Sequence, residues 1–227
     1  QLSFSGRLSM NMIIRPIYPT LPIRPPQISA ETAILIFNVL AFLMLAGTVA
    51  FMISLYAAKR WKADKTKTAI AFVSITVAVT ILLLCFFGFA VSTVKGILFC
   101  LILLFSSYSD IKTREADDYL HVMILLTAFI NREPTDIPSM LLSAVLITLP
   151  LILPVIICKG KVIGGADVKL SVACTFLLGI NRGIVGLMAG LTIGVLANLI
   201  IQTQKNKAES FPLIPYLATG FMAVYIM

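Results

Sequence analysis

Eight apolar stretches divide this chain, most of them close to the twenty or so residues that a helix needs to cross a bilayer. They are Ala33–Ala58, Ala69–Val91, a third run that begins at Thr93, Tyr119–Ile130, Ile137–Cys158, Val168–Ile180, Gly183–Gln202 and Phe211–Met227. The fourth and sixth are short. Hydrophobic residues make up 59% of the chain and charged residues 12%, whereas soluble domains run near 45–50% and about 25%. The sequence therefore predicts an all-α polytopic membrane protein of about eight segments, two of them short, with no room for a large soluble domain. Three parts are expected: a proline-rich, non-helical leader over 1–30, two transmembrane helices joined by a basic loop over 31–92, and a six-segment bundle over 93–227.

The leader holds Pro16, Pro19, Pro22, Pro25 and Pro26, a density through which no helix persists. Between the first two spans, Lys59, Arg60, Lys62, Lys65 and Lys67 face one acid, Asp64, with Trp61 near the interface. A tight turn is expected near Lys95-Gly96, and a kink at Pro150 and Pro154. Gly186, Gly190 and Gly194 recur every four residues, a spacing that lets helix backbones approach closely. Cys85, Cys100, Cys158 and Cys174 lie in apolar runs without C-x-x-C spacing, which reads as packing rather than as disulfides or a zinc site.

The net charge of +8 reads as cytoplasmic loops enriched in Lys and Arg, not as a nucleic-acid surface, since no aromatic-interleaved basic patch accompanies it. With the N-terminal side outside, the inner loops hold Lys59, Arg60, Lys62, Lys65, Lys67, Lys112, Arg114, Lys159, Lys161, Lys169, Lys205 and Lys207. The outer side keeps Arg7, Arg15, Arg24, Lys95, Arg132 and Arg182. Twelve against six is the expected asymmetry.

On the inner face stand two acidic motifs. In Ser109-Asp110-Ile111-Lys112-Thr113-Arg114-Glu115-Ala116-Asp117-Asp118-Tyr119, Asp110 sits where an apolar run reaches water. In Gly164-Gly165-Ala166-Asp167-Val168-Lys169-Leu170, a second lone Asp sits at another membrane edge. A carboxylate there is costly unless paired, hydrated or used. Two carboxyls brought close cannot both ionise easily, so they share a proton, and one can activate water while the other protonates a peptide carbonyl or amine. Asp110 and Asp167 are therefore the catalytic candidates of an aspartyl protease. Gly164 and Gly165 can take positive φ and let a substrate backbone approach beside Ala166. Asp167 opens a short helix, and Lys169 adds positive charge. Lys112 and Arg114 read as orientation charges, Asp117 as solvated, and Asp118 as holding the loop or capping the fourth segment. His121, the only histidine, reads as a polar contact near the interface. No metal set and no Ser–His–Asp set can be assembled, so no metal or cofactor is expected. Two other readings stay open: a small proton- or cation-coupled transporter using the same aspartates, and a non-catalytic pilus or secretion assembly protein.

The two motifs together resemble the type IV prepilin peptidase and archaeal preflagellin peptidase family. The second resembles its G-x-G-D-x-K-L, with Ala166 at the third position. Phe211-Pro-Leu-Ile-Pro-Tyr-Leu-Ala-Thr-Gly220 is similar to the proline-containing segment that opens the last helix of bacterial members. The resemblance covers about 93–227. It implies a multi-pass aspartyl endopeptidase of a prokaryotic cytoplasmic membrane. Such an enzyme works without metal and removes the positively charged leader of prepilin-like or preflagellin-like substrates at the cytoplasmic face. The family aspartates map onto Asp110 and Asp167, and the substrate's apolar helix would lie along the bundle. Many bacterial members carry a domain with paired C-x-x-C motifs, associated with N-methylation, between the first two spans. Here that place holds only Lys59 to Thr68, so the resemblance implies peptidase without methyltransferase activity. Presenilin-type proteases also use G-x-G-D, but the Asp110 motif fits the prepilin group better. Substrate identity and oligomeric state are not legible.

Overall fold

A computed structural model describes residues 30–157, 164–205 and 211–227. The leader, Cys158, Lys159, Lys161 and Lys207 lie outside the described residues. Two units are distinguished, Gln1–Phe37 and Asn38–Met227. The described part of the first is only the opening two turns of a helix; the helical bundle belongs to the second.

The described residues form eight α-helices: α1 (Ala30–Arg60), α2 (Lys65–Phe87), α3 (Val91–Thr113), α4 (Asp118–Ala128), α5 (Ile137–Ile157), α6 (Gly165–Leu178), α7 (Ile180–Lys205) and α8 (Ile214–Ile226). Five of the eight are long and apolar enough to cross a membrane, while α4, α6 and α8 are shorter. Large apolar side chains point outward, among them Met44, Leu126, Met188 and Ile200. A water-facing surface does not carry apolar area on this scale. The chain is an all-α polytopic membrane protein.

Local chemistry sets the helix ends. Asp64 caps α2, its Oδ1 accepting the Thr66 N–H at 3.0 Å. At the other end Gly88 takes φ 60° and its N–H returns to the Leu84 carbonyl, a conformation that a residue without Cβ adopts freely. The α2–α3 turn therefore lies at Gly88–Ala90, clinched by the Thr93 hydroxyl donating to the Gly88 carbonyl at 2.6 Å. The turn expected at Lys95-Gly96 is not there: both residues are buried inside α3. Helix α5 runs through Pro150 and Pro154 to Ile157 as one element.

Helix α3 is the axis of the bundle. Of its apolar window 67% is buried, against at most 22% for any other long span. Helix α8 packs between α3 and α7, and α6 packs against α4, α5 and α7. The α7 glycine stripe faces the α8 backbone. A Cβ on Gly190 would stand 2.7 Å from the Leu217 Cα, and one on Gly220 would stand 2.5 Å from the Gly186 carbonyl oxygen. Helix α1 joins through side chains, with Tyr56 and Trp61 packed on Phe105 at ring distances of 6.0 and 5.3 Å.

Successive helices run in alternating directions, so odd-numbered helices end where even-numbered ones begin. Contacts at that end tie Arg60 of α1 to Asp117, Thr68 of α2 to Tyr108 of α3, and Lys169 of α6 to Asp118 of α4. Contacts at the opposite end tie Lys95 of α3 to the last carbonyl of α4, and Tyr225 of α8 to the Ser92 carbonyl.

Candidate active site

Parity alone places both acidic motifs at one end of the bundle. Asp110 lies in the last turn of α3, Asp118 opens α4, Asp167 lies in the first turn of α6, and Ile214 opens α8.

Asp110 does not face water as its place in the sequence suggests. Its residue is only 7% exposed, and its Oδ2 accepts the backbone N–H of Ile214 at 3.2 Å. The first turn of a helix has no intrahelical acceptors for its amides, and Pro215 brings no N–H of its own. The α8 N-terminus therefore turns a spare donor and the positive end of its dipole toward the carboxylate. Helix α3 stops just after Asp110 because Arg114 takes a left-handed conformation, φ 60° and ψ 22°, and returns its N–H to the Asp110 carbonyl. Ser109 and Thr113 hydroxyls hold the next residue by donating to the Glu115 carbonyl at 2.9 and 3.0 Å.

Asp167 is half-buried and sits at the third position of α6. The N-cap is Gly164, and its N–H donates to Asp167 Oδ2 at 3.1 Å. Neither Gly164 nor Gly165 has positive φ. The expected use of that freedom is corrected: a Cβ on Gly164 would stand 3.0 Å from Asp167 Oδ2, so its smallness makes room for the carboxylate. Around Gly165 there is open space. Ala166 packs partly buried against the core. Asp110 and Asp167 thus both lie at this end of the bundle, one closing α3 and one opening α6.

The residues around the pair are tied together across the sequence. Lys169 donates to Asp118 Oδ1 at 2.7 Å, binding the second motif to the first and holding the exposed Asp118 carboxyl below its usual range. Asp117 is partly exposed and is not left to water alone: it pairs with Arg60 at 2.9 Å. Lys112 lies over the Tyr108 ring at 5.6 Å. His121 is buried, with its Nδ1 4.0 Å from Asp118 Oδ1. Among the described residues no group of three or more His, Cys, Asp or Glu is arranged to hold a metal ion.

Beside the first motif, an apolar groove of about 700 Å³ runs between α1, α3 and α4, lined by Met52, Tyr56, Leu98, Phe105, Tyr119 and Met123 among others. Tyr119 adjoins Asp118, so the groove opens next to the acidic cluster.

Residues 97–201 match the model of the type IV leader peptidase family. Over this segment the chain is similar to that family. The matched region contains both Asp110 and Asp167. No curated protein and no solved structure gives a significant match. Two participants escaped the sequence reading: the Ile214 amide, for which only the neighbouring prolines were a signal, and Arg60, whose place in a basic loop hid its partner.

Proposed function

We propose that this protein is a leader peptidase of the aspartic type whose acid–base pair is Asp110 and Asp167. The observation that carries the reading is their placement at one end of the bundle, each held by a backbone amide. One carboxylate takes a proton from water, whose oxygen attacks the scissile carbonyl carbon, while the other carboxyl protonates the carbonyl oxygen. Collapse of the tetrahedral adduct breaks the C–N bond, and the departing amine takes the proton back from the pair. The Ile214 N–H keeps Asp110 oriented, and the Asp118–Lys169 bridge fixes the start of α4 against the start of α6.

The proposed substrate is a prepilin-like or preflagellin-like protein: a short basic leader, the cleavage site, then an apolar helix. The groove between α1, α3 and α4 suits that helix, being apolar along its length and open beside the acidic end. The leader's positive charge would meet Asp117, Asp118 and Glu115 there. The charge asymmetry of the loops favours placing this end at the cytoplasmic face of a prokaryotic plasma membrane. Only four residues, Trp61–Asp64, connect α1 to α2. That leaves no place for a C-x-x-C domain, so the enzyme is proposed to cleave without methylating.

The test is cleavage of a membrane-embedded prepilin-like substrate by wild type, Asp110→Asn and Asp167→Asn. Asn keeps size but cannot exchange the proton, and a rate loss of about 100-fold or more is expected for each folded variant. Wild-type cleavage by either variant would refute the two-carboxylate mechanism. A wild type silent on every such substrate would favour the transporter or assembly-protein reading.

A further inference from the structure

The opposite end of the bundle holds a second constellation, distant from the acidic pair and unused by it. A polar pocket of about 170 Å³ opens there, lined by Ser92, Lys95, Asn131, Arg132, Arg182 and Tyr225 with three apolar neighbours. Lys95 forms its floor, 5% exposed, while Arg132 and Arg182 are exposed at its rim. Three cations and no acid line it.

Part of this charge has local work. Lys95 donates to the Ala128 and Ile130 carbonyls at 2.9 and 3.1 Å, and Arg132 to the Leu177 carbonyl at 3.4 Å, so each meets the C-terminal carbonyls of a short helix. Arg132 also reaches Asp136 at 3.7 Å. Those contacts leave a surplus. Arg132 acts repulsively on Lys95, both arginines act on Tyr225, and Arg182 makes no ion pair among the described residues. Concentrating cations in a half-enclosed pocket is unfavourable unless an anion offsets it. The long helix α7 also begins here, adding the positive end of its dipole. Guanidinium forks match the oxygens of a phosphate, and a deep ammonium supplies a point charge behind it.

We propose that this pocket binds a phosphate group, borne by an anionic phospholipid headgroup or free in solution. Its place at the helix ends puts it at headgroup depth if the bundle spans the membrane.

The experiment uses the full chain in a phosphate-free maltoside micelle, titrated calorimetrically at constant ionic strength. The probes are inorganic phosphate, a short-chain phosphatidylglycerol, and the matching diacylglycerol as the apolar control. Saturable binding of either phosphate probe is expected, weakened about tenfold or more by Arg182→Gln and by Arg132→Gln and unchanged by Lys67→Gln at the other end. Binding of both phosphate probes identifies phosphate alone as sufficient, and binding of the lipid alone identifies the headgroup. The proposal is overturned if neither binds, if diacylglycerol binds as well as the phospholipid, or if Lys67→Gln weakens binding as much as the arginine variants. Arg182 is exposed, so its replacement should leave the thermal midpoint of the unliganded protein unchanged, and cleavage of the substrate is not part of the readout.

Discussion

Replacing Gly220 by Ala adds one methyl group where the α7 and α8 backbones cross. The new Cβ would meet the Gly190 amide nitrogen, would lie 2.5 Å from the Gly186 oxygen and would lie 2.6 Å from the Gly190 Cα. Ordinary contact begins at 3.4 Å, so against the Gly186 oxygen the deficit is about 0.9 Å, the difference between 3.4 and 2.5 Å. The obstructing atoms are backbone, and no rotamer change can clear them. The helices must part or the variant must distort, at a cost of about 1–3 kcal/mol. In a protein of this size that lowers the thermal midpoint by about 2–12 °C. The same displacement reaches the acidic end. Ile214 opens the displaced helix, six residues or about 9 Å from Gly220, and its amide holds Asp110 at 3.2 Å. Because α8 lies between α7 and α3, parting it from α7 presses it against α3, and a shift of even half of the deficit displaces the Ile214 amide from its place on Asp110. Losing a hydrogen bond to a charged group corresponds to about tenfold or more in rate. Thermal unfolding in detergent reads the first effect. Cleavage measured well below the midpoint reads the second. Gly47→Ala is the control, because its Cβ would find only the Val77 Cγ2, 4.0 Å away; it should be neutral or slightly stabilising. A Gly220→Ala protein with wild-type midpoint and wild-type cleavage would refute the link between this crossing and the site.

Lys169→Met should barely move the thermal midpoint, since an exposed ion pair contributes at most about 1 kcal/mol, yet it should slow cleavage. The double variant with Asp118→Asn should be no slower than the worse single variant, and additive losses would show that the two do not act as a pair. A carboxyl pair sharing one proton is active with one member ionised and the other protonated, so kcat/KM should fall at both ends of the pH range; a flat profile between about pH 4 and 8 would reject acid–base work by this pair. Lys95→Met should cost about 2 kcal/mol of stability, read by thermal unfolding, because the Ala128 and Ile130 carbonyls lose their donor. An unchanged midpoint would mean that water takes over that role.

The membrane character of this chain and the eight described helices were legible in the sequence because hydropathy is a local property: a run such as Ala69–Val91 announces a helix whatever packs against it. Strict alternation of helix direction then carried both acidic motifs to one end, and Gly186, Gly190 and Gly194 announced a close helix contact before its partner was known. Tertiary structure decided which groups meet. Lys95 looked like a break in an apolar run, since a charge is expected in water, but two helix-end carbonyls 33 and 35 residues away make a buried place for its ammonium. Asp117 looked solvated until Arg60, 57 residues earlier, came alongside. Asp110 looked like the last residue before water, and only the packing of α8 across the end of α3 buried it and supplied the Ile214 amide. A backbone donor leaves no side-chain signature, and the partner of a charge is chosen by distance in space. Those are the parts of this site that a one-dimensional pattern does not carry.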